Sequence, residues 1–261
     1  LKKERLKGLN GSVNINTGIP SQNGISTNFN YRKSKFSVFA SLSANQRTTK
    51  GGGFSDSDYF LTDTTYSSYA DRDRTSNSLS YGGRAGFSFF PNSKNIFSFS
   101  IGTRFSNRDG DEINKYIDYD SQSNEIQRTE RIESSNDDSE NLSYNLSYTK
   151  NFEKKGHNLK FNFSWSDNTS KNTGDYKEDV RDLIQDSRSD GNRYDQNIRI
   201  DYTHPINNNK GKIELGYKRD YDKMSNNYNA GQWFGSNYRT ILSNVYDYYQ
   251  DVNAFYIQAG N

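Results

Sequence analysis

The chain of 261 residues contains no cysteine, and nowhere does it contain a long run of apolar residues. Without cysteine the sequence can form neither a disulfide scaffold nor a thiolate metal site or nucleophile. A transmembrane helix needs about 18 or more consecutive apolar residues, and no segment of this sequence supplies them. No charged-then-apolar signal segment opens the sequence either. These absences do not fix the compartment.

Apolar residues are scarce, at 30% of the sequence with a mean hydropathy of −1.10. So polar a composition raises the alternative of intrinsic disorder, but disorder also requires a large net charge and few aromatic residues. Here the net charge is only +2, and the chain has 20 Tyr and 16 Phe. The near-zero net charge also offers no basic surface for nucleic acid, so no nucleic-acid partner is expected.

Two kinds of connection alternate along the chain. Short turns rich in Lys and Asn are followed by much longer segments without apolar periodicity, and this asymmetry is typical of a bacterial outer-membrane β-barrel. The turns are Arg32–Lys35, Pro91–Asn95, Glu153–Gly156 and Asn207–Lys210, and the long connections, interpreted as loops, span about residues 48–74, 108–138, 169–190 and 223–244.

Between the turns, every second residue is apolar or aromatic, which predicts antiparallel β-strands. The longer stripes span about 7 to 10 residues, close to what a tilted strand needs to cross a membrane. The stripes are Val13–Ile15, Ile25–Tyr31, Phe36–Ala44, Leu79–Phe89, Phe97–Phe105, Leu142–Tyr148, Leu159–Trp165, Ile198–Tyr202 and Ile213–Tyr217, with a tenth strand near Val252–Ala259.

The alternate positions carry Ser, Asn, Lys and Glu, which suit a water-filled interior, so the apolar face is expected to contact lipid. The fold class is therefore all-β, an antiparallel up-and-down transmembrane β-barrel. A soluble sheet with one solvated face alternates in the same way. That alternative needs a second layer to cover the apolar face, and no segment of the sequence supplies one.

Charge is unevenly distributed between the two ends of the predicted strands. The segment 108–138 has ten acids against four bases, whereas the short turns are basic. Acidic loops can bind lipopolysaccharide through divalent cations or hold a cationic ligand, although solvated loop charge explains them equally. Lipid and lipopolysaccharide are the expected membrane partners.

The segment Asn227–Gly235 combines aromatic rings with amide donors, a chemistry that stacks and hydrogen-bonds sugars or planar ligands. Its candidate ligand-binding residues are Tyr228, Trp233 and Phe234, with packing over the barrel mouth as the alternative.

No other motif carries chemistry. His157 and His204 lack a second ligand at metal spacing, and Gly51–Gly53 lacks the Lys-Ser/Thr of a phosphate loop and is interpreted as flexible loop. The sequence predicts no catalytic residue, metal site or cofactor, and hence no enzyme.

The opening segment Leu1–Ile15 resembles the junction between the plug and the first barrel strand of TonB-dependent outer-membrane receptors of the Bacteroidota type. The hairpin Asn28–Phe39 and the segment Tyr249–Tyr256 also resemble that family's barrel repeats. The resemblance implies a barrel of about 22 strands, closed by an N-terminal plug, that imports ligands with energy from TonB. Its implied partners are the plug and remaining strands, TonB through an N-terminal region, and a surface lipoprotein.

We therefore expect residues 1–261 to be one partial barrel domain of about ten strands, mature or truncated and without its plug, in the bacterial outer membrane. The first functional interpretation is ligand uptake by a TonB-dependent receptor, with siderophore, cobalamin and glycan ligands left open. The alternatives are a passive porin or structural outer-membrane barrel, and a secreted adhesive β-sheet protein.

Overall fold

The structure of the protein is a computed structural model that describes residues 8–60, 65–180, 183–206 and 210–260. Within these ranges the chain forms ten strands in one antiparallel sheet, in which each strand pairs with its neighbours in sequence. None of the described residues forms a helix that could span a membrane. The strands are β1 (Gly8–Gly18), β2 (Ser21–Lys33), β3 (Phe36–Phe60), β4 (Thr65–Asn92), β5 (Asn95–Tyr119), β6 (Glu125–Asn151), β7 (Asn158–Glu178), β8 (Leu183–Ile206), β9 (Gly211–Phe234) and β10 (Asn237–Gly260).

The all-β, up-and-down architecture and the number of strands confirm the sequence prediction. The turns after β2, β4 and β6 lie where the sequence places them, whereas Asn207–Asn209, like Leu1–Lys7 of the opening segment, lies outside the described residues. We call the end of the sheet that carries these turns the short end, and the opposite end the long end.

The prediction of long loops was wrong. The segments near residues 48–74, 108–138, 169–190 and 223–244 are mostly strand, and the hairpins turn only at their tips, for example between Tyr119 and Glu125. Apolar periodicity stops in these segments because both faces are polar there, and a strand that is wetted on both faces leaves no hydrophobic signal. Gly51–Gly53 is likewise part of β3 and not a loop.

The register brings the apolar stripes of all ten strands onto one face. The cross-strand row that begins at Phe36 continues through large apolar residues on seven further strands. In order, the row contains Phe36, Phe89, Phe97, Tyr148, Phe161, Ile200, Tyr217 and Phe255. We call this side the apolar face and the other, which carries Ser98, Ser100 and Asn145, the polar face.

Aromatic rings border the apolar stripes. Phe36 stacks on Phe89 beside the short-end turns, with ring centroids 4.8 Å apart. On the long-end side, neighbouring rings contact one another across β6 to β10 at centroid distances of 5.1 to 5.7 Å. This second series consists of Tyr144, Trp165, Tyr194, Tyr221 and Tyr249.

The sheet has no hydrophobic core among its described residues. No apolar side chain is buried there, and the buried polar side chains all belong to the polar face: Ser76, Ser100, Asn114, Thr129 and Glu178. A water-soluble sheet would leave this large apolar face uncovered, at a cost of roughly 25 cal/mol for each Å². Lipid removes that cost, so the arrangement is that of a membrane barrel wall.

The strands are staggered, and the stagger gives their tilt. The row that starts at Phe36, the first residue of β3, reaches β9 at Tyr217, six residues beyond the first residue of that strand. Six residues at about 3.3 Å along the strand, over six steps of about 4.8 Å between strands, correspond to a tilt of about 35°. Strands of closed barrels tilt by roughly 35–45°.

Candidate functional site

The polar face has two halves that differ in the way their charges are arranged. On β6, β8 and β9, basic residues are followed two positions later by an acid on the same face. These pairs form ion pairs with N–O distances of 2.6 to 3.1 Å: Arg131–Glu133, Arg193–Asp195, Arg199–Asp201, Lys212–Glu214 and Lys218–Asp220. Here the strand neutralises its own charge.

On β2 to β5 the polar face instead carries seven arginines: Arg32, Arg47, Arg72, Arg74, Arg84, Arg104 and Arg108. No arginine of these four strands lies on the apolar face. None of the seven has an acid two positions further on, where Ser, Thr, Gly or a second Arg stands instead. The acids that share this part of the polar face are Glu112 and Asp118. We call this set of seven residues the arginine track.

The track follows the strands from the short end towards the long end. Projected onto β3 by the register, it runs from Ser37, the partner of Arg32, to Gly53, the partner of Arg72. Sixteen residues at about 3.3 Å each give a length of about 50 Å. Arg47 and Arg108 share one row, with only Ser78 between them.

The long-end half of the track lines a cleft of about 440 Å³. Arg72 contacts Glu112 at 3.1 Å and donates through Nε to the Asn114 side-chain oxygen at 3.0 Å, while Arg108 donates to the Ser76 hydroxyl at 2.9 Å. Asn114 is only 3% exposed, so the base of this cleft is held rigidly. A side chain added at Gly51 or Gly53, which pair with Arg74 and Arg72, would meet nothing within 4 Å.

Nearer the short end, Arg84 and Arg104 line a second cleft of about 360 Å³ together with Ser and Asn side chains. Arg84 donates to the Ser100 hydroxyl at 3.2 Å, and its guanidinium lies 5.5 Å from the centre of the Phe39 ring. Among the described residues, no carboxylate forms an ion pair with Arg84, Arg104, Arg47 or Arg108. These four exposed guanidinium groups therefore have no carboxylate within ion-pair distance, although the register places Asp137 of β6 opposite Arg108.

The three candidate ligand residues from the sequence do not converge. They belong to β9 and not to a loop, and Tyr228 and Phe234 lie on the polar-face register while Trp233 has the opposite parity and contacts Tyr238 at 5.1 Å between ring centroids. Tyr228 lines a third cleft, of about 580 Å³, with Arg131 and Tyr176. Ligand contact by Tyr228, Trp233 or Phe234 stays a prediction.

Sequence analysis missed a histidine pair at the short end. His157, in the turn after β6, lies with its ring centroid 4.8 Å from that of His204 and contacts the Tyr202 hydroxyl at 2.9 Å. Desolvation lowers the pKa of His157, and repulsion from His204 and Lys154 lowers it further. The described part of the chain contains no group of three residues that could hold a metal.

At the long end, the turn between β5 and β6 is closed by Asp120. Its carboxylate accepts hydrogen bonds from the backbone N–H groups of Gln122 and Asn124 at 2.9 and 2.8 Å, and these interactions with Asn124 lower the pKa of Asp120. A short turn, held by the Asp120 side chain, is therefore found where the sequence predicts a long loop.

The arginine track is the site that sequence analysis missed. The sequence does show these arginines without an acid two positions later. This pattern indicates a shared face only if the segments are known to be strands. With the long segments interpreted as loops, Arg72, Arg74 and Arg108 have no assigned face.

Two solved structures and one family model are similar to the chain or to part of it. The chain is similar to the ferric yersiniabactin uptake receptor FyuA from Yersinia pestis (9% identity, TM-score 0.38) and to the siderophore receptor PiuA from Acinetobacter baumannii (11% identity, TM-score 0.27). The matches include 97% and 96% of this chain but only 44% and 46% of the two receptors, respectively. No curated protein sequence matches the chain. Residues 150–261 match the model of the Outer membrane protein beta-barrel family, and this match indicates that the chain is located in the bacterial outer membrane.

Proposed function

We propose that the chain forms ten consecutive strands in the wall of a large outer-membrane receptor of the TonB-dependent type, which takes up a ligand across the membrane. The observation that carries this proposal is the open sheet. Among the described strands, β1 and β10 each pair with a single neighbour and not with each other. Unpaired backbone groups in lipid cost several kcal/mol each, so both edges require further strands.

The size of the completed barrel separates the candidate functions. Barrels of 16 to 18 strands leave an aqueous channel, whereas 22-stranded transporters hold a plug in their lumen. Ten strands account for less than half of such a transporter, and the resemblance of the opening segment to a plug–barrel junction supports the same interpretation. A plug and TonB are then partners of the whole protein.

The strands continue far beyond the ends of their apolar stripes, and this extension supports a receptor with a large outer surface. In β5 the apolar stripe ends at Phe105, but the strand continues to Tyr119. Hairpins of this kind surround the outer entrance in barrels whose longer connections face outwards. Acids on their outer surface, such as Asp109 and Asp111, are placed to bind lipopolysaccharide through divalent cations, and a surface lipoprotein is a further partner of this end.

A passive porin is the second candidate, because the polar face continues along the full length of the strands and a water-filled channel needs such a face. A porin needs neither a plug nor TonB. The two functions therefore predict different behaviour of the same purified protein.

The test uses the whole protein that carries this chain, purified in detergent from its own gene. We expect it to crosslink to the periplasmic domain of TonB from the same bacterium and to show no steady open channel in planar bilayers. A steady conductance together with no TonB crosslink would replace the receptor proposal by the porin.

A further inference from the structure

We propose that the arginine track is a binding path for solutes that carry carboxylate or phosphate groups, leading from the long end of the barrel wall towards the short end. This inference deepens the proposed function and rests on it, since it requires the polar face to line the interior of the barrel. The ligand class that it assigns is anionic.

The first argument is the segregation of charge on the polar face. Seven arginines share the polar face of β2 to β5 with two acids. On the polar face of β8 and β9, in contrast, each arginine or lysine has an acid two positions further on. Adjacent like charges destabilise a sheet, and the same polypeptide removes that cost elsewhere by pairing. Arginines left without acids therefore retain their positive potential for a mobile anion.

The second argument is the type of cation. Every basic residue on this part of the polar face is arginine, while Lys50 and Lys115 of the same strands have the register of the apolar face. Arginine offers a planar fork of donors that binds carboxylate and phosphate in a bidentate manner, and it stays charged at all relevant pH values. Lysine would supply the same charge without the fork.

The third argument is continuity. Measured along β3, successive arginines are separated by no more than four residues, or about 13 Å. An anion that leaves one guanidinium group thus has the next within reach of a flexible side chain. The total length of about 50 Å exceeds the hydrocarbon thickness of roughly 30 Å even after allowing for the tilt of the strands.

The fourth argument is access. Arg72 and Arg74 are 60% and 51% exposed, and both face the glycines of β3 across an open cleft of about 440 Å³. Gly51 and Gly53 leave the space in front of these guanidinium groups empty. A cleft of this volume accommodates a small polycarboxylate.

The experiment measures binding to the whole protein in detergent by calorimetry, with citrate and inorganic phosphate as the anionic probes and spermidine as the cationic one. We expect citrate and phosphate to bind, to weaken at about 0.15 M salt, and to bind more tightly than spermidine. Equal binding of the cation and the anions would overturn the proposal.

The track variants are Arg47→Gln, Arg84→Gln and Arg104→Gln, and each should weaken citrate binding by about threefold or more. The matched controls, Arg193→Gln and Arg199→Gln, remove arginines from the same face that are already paired with Asp195 and Asp201 and should leave citrate affinity unchanged. Arg104→Lys should restore part of the affinity, because it keeps the charge and loses the fork.

Gly51→Leu keeps every arginine and fills the cleft, so it should weaken citrate binding if the long-end half of the track is the entry. Heat-modifiable migration in gels identifies the variants that have folded. Unchanged citrate affinity in the folded Arg47, Arg84 and Arg104 variants would overturn the proposal that the track binds anions. Absence of all anion binding, because another part of the protein covers the track, would overturn it as well. A missing TonB crosslink overturns the receptor proposal alone, because anion binding is measured without TonB.

Discussion

Phe87 and Phe99 lie directly opposite each other in β4 and β5, with ring centroids 6.0 Å apart, and both rings point away from the polar face. The residues that follow them in the sequence, Ser88 and Ser100, belong to the polar face. Ser100 is only 6% exposed, whereas Phe87 is 46% exposed. Serine inside and phenylalanine outside is the reverse of a soluble fold.

A charge placed on the apolar face should cost far more than the same charge on the polar face. Phe163→Arg puts a guanidinium group into hydrocarbon and should lower the free energy of unfolding in lipid vesicles by about 2–4 kcal/mol. The adjacent Asn162→Arg places it on the polar face and should fold nearly as the parent does. Equal losses in the two variants, measured by denaturant titration in vesicles, would contradict the assignment of the faces.

The turns of the two ends should lie on opposite sides of the membrane. Cysteine introduced at Asn124 or Ser236, in long-end turns, should react with an impermeant thiol reagent on intact cells. Cysteine at Ser93, in a short-end turn, should react only after the cells are lysed. Labelling of Ser93 together with protection of Asn124 on intact cells would invert the topology.

The Arg219–Asp251 ion pair should contribute more to the stability of the folded protein than the Lys218–Asp220 pair on the polar face. Arg219 donates from two nitrogens to both Asp251 oxygens, at 2.9 and 2.7 Å, and its register places it beside Ile198 on the apolar face. Asp251→Asn leaves the guanidinium group without its partner at the edge of the lipid.

The matched control is Asp220→Asn, which breaks the pair with Lys218 on the wetted polar face, where an exposed ion pair contributes little. The midpoint of urea unfolding in vesicles should fall clearly for Asp251→Asn and hardly change for Asp220→Asn. The opposite order would show that Arg219 does not face the lipid edge.

The turn between β6 and β7 should loosen in mild acid. The pKa of His157 in the folded protein is lowered below its ordinary value of about 6.5, so the unfolded chain binds the proton more readily. The stability contributed by neutral His157 is therefore present above that ordinary value and is lost as the pH falls below it. The protection of the His157 N–H against hydrogen exchange, relative to the intrinsic rate at each pH, should fall between pH 7 and 5, because this N–H donates to the Lys154 carbonyl at 3.0 Å within the turn. His157→Gln should remove this pH dependence.

Apolar periodicity was enough to predict the strands only where one face meets lipid. Phe97 to Phe105 alternate with polar residues, and the structure places them in β5 as expected. Beyond Phe105 the same strand continues through Asp109, Gly110 and Asp111, whose backbone pairs with β6 although no hydrophobic contrast marks it. Backbone hydrogen bonds between strands form whatever the polarity of the side chains. The strands at the long end of the sheet therefore could not be predicted from hydropathy.

The same limit explains why the sequence grouped residues that do not share one face of the sheet. Trp233 and Tyr228 were grouped because a loop can bring any of its side chains together, whereas in a strand their odd spacing puts them on opposite faces. Arg47 and Arg108 are 61 positions apart in the sequence and share a row only because β3, β4 and β5 pair in this register. A site built across strands requires the register, which single-sequence patterns do not contain.

The orientation of the two faces is the central claim, and spin labels at Asn145 and Leu146 test it most directly. These consecutive residues of β6 are both exposed, and they pair with Ser100 on the polar face and Phe99 on the apolar face. In vesicles, the relaxation of the label at Leu146 should respond to oxygen dissolved in lipid and hardly to a water-soluble nickel chelate, and the label at Asn145 should show the reverse. The same response from both labels would contradict a barrel wall whose apolar face meets lipid and whose arginines line the interior. So would a label at Asn145 that responds to oxygen and a label at Leu146 that responds to the nickel chelate.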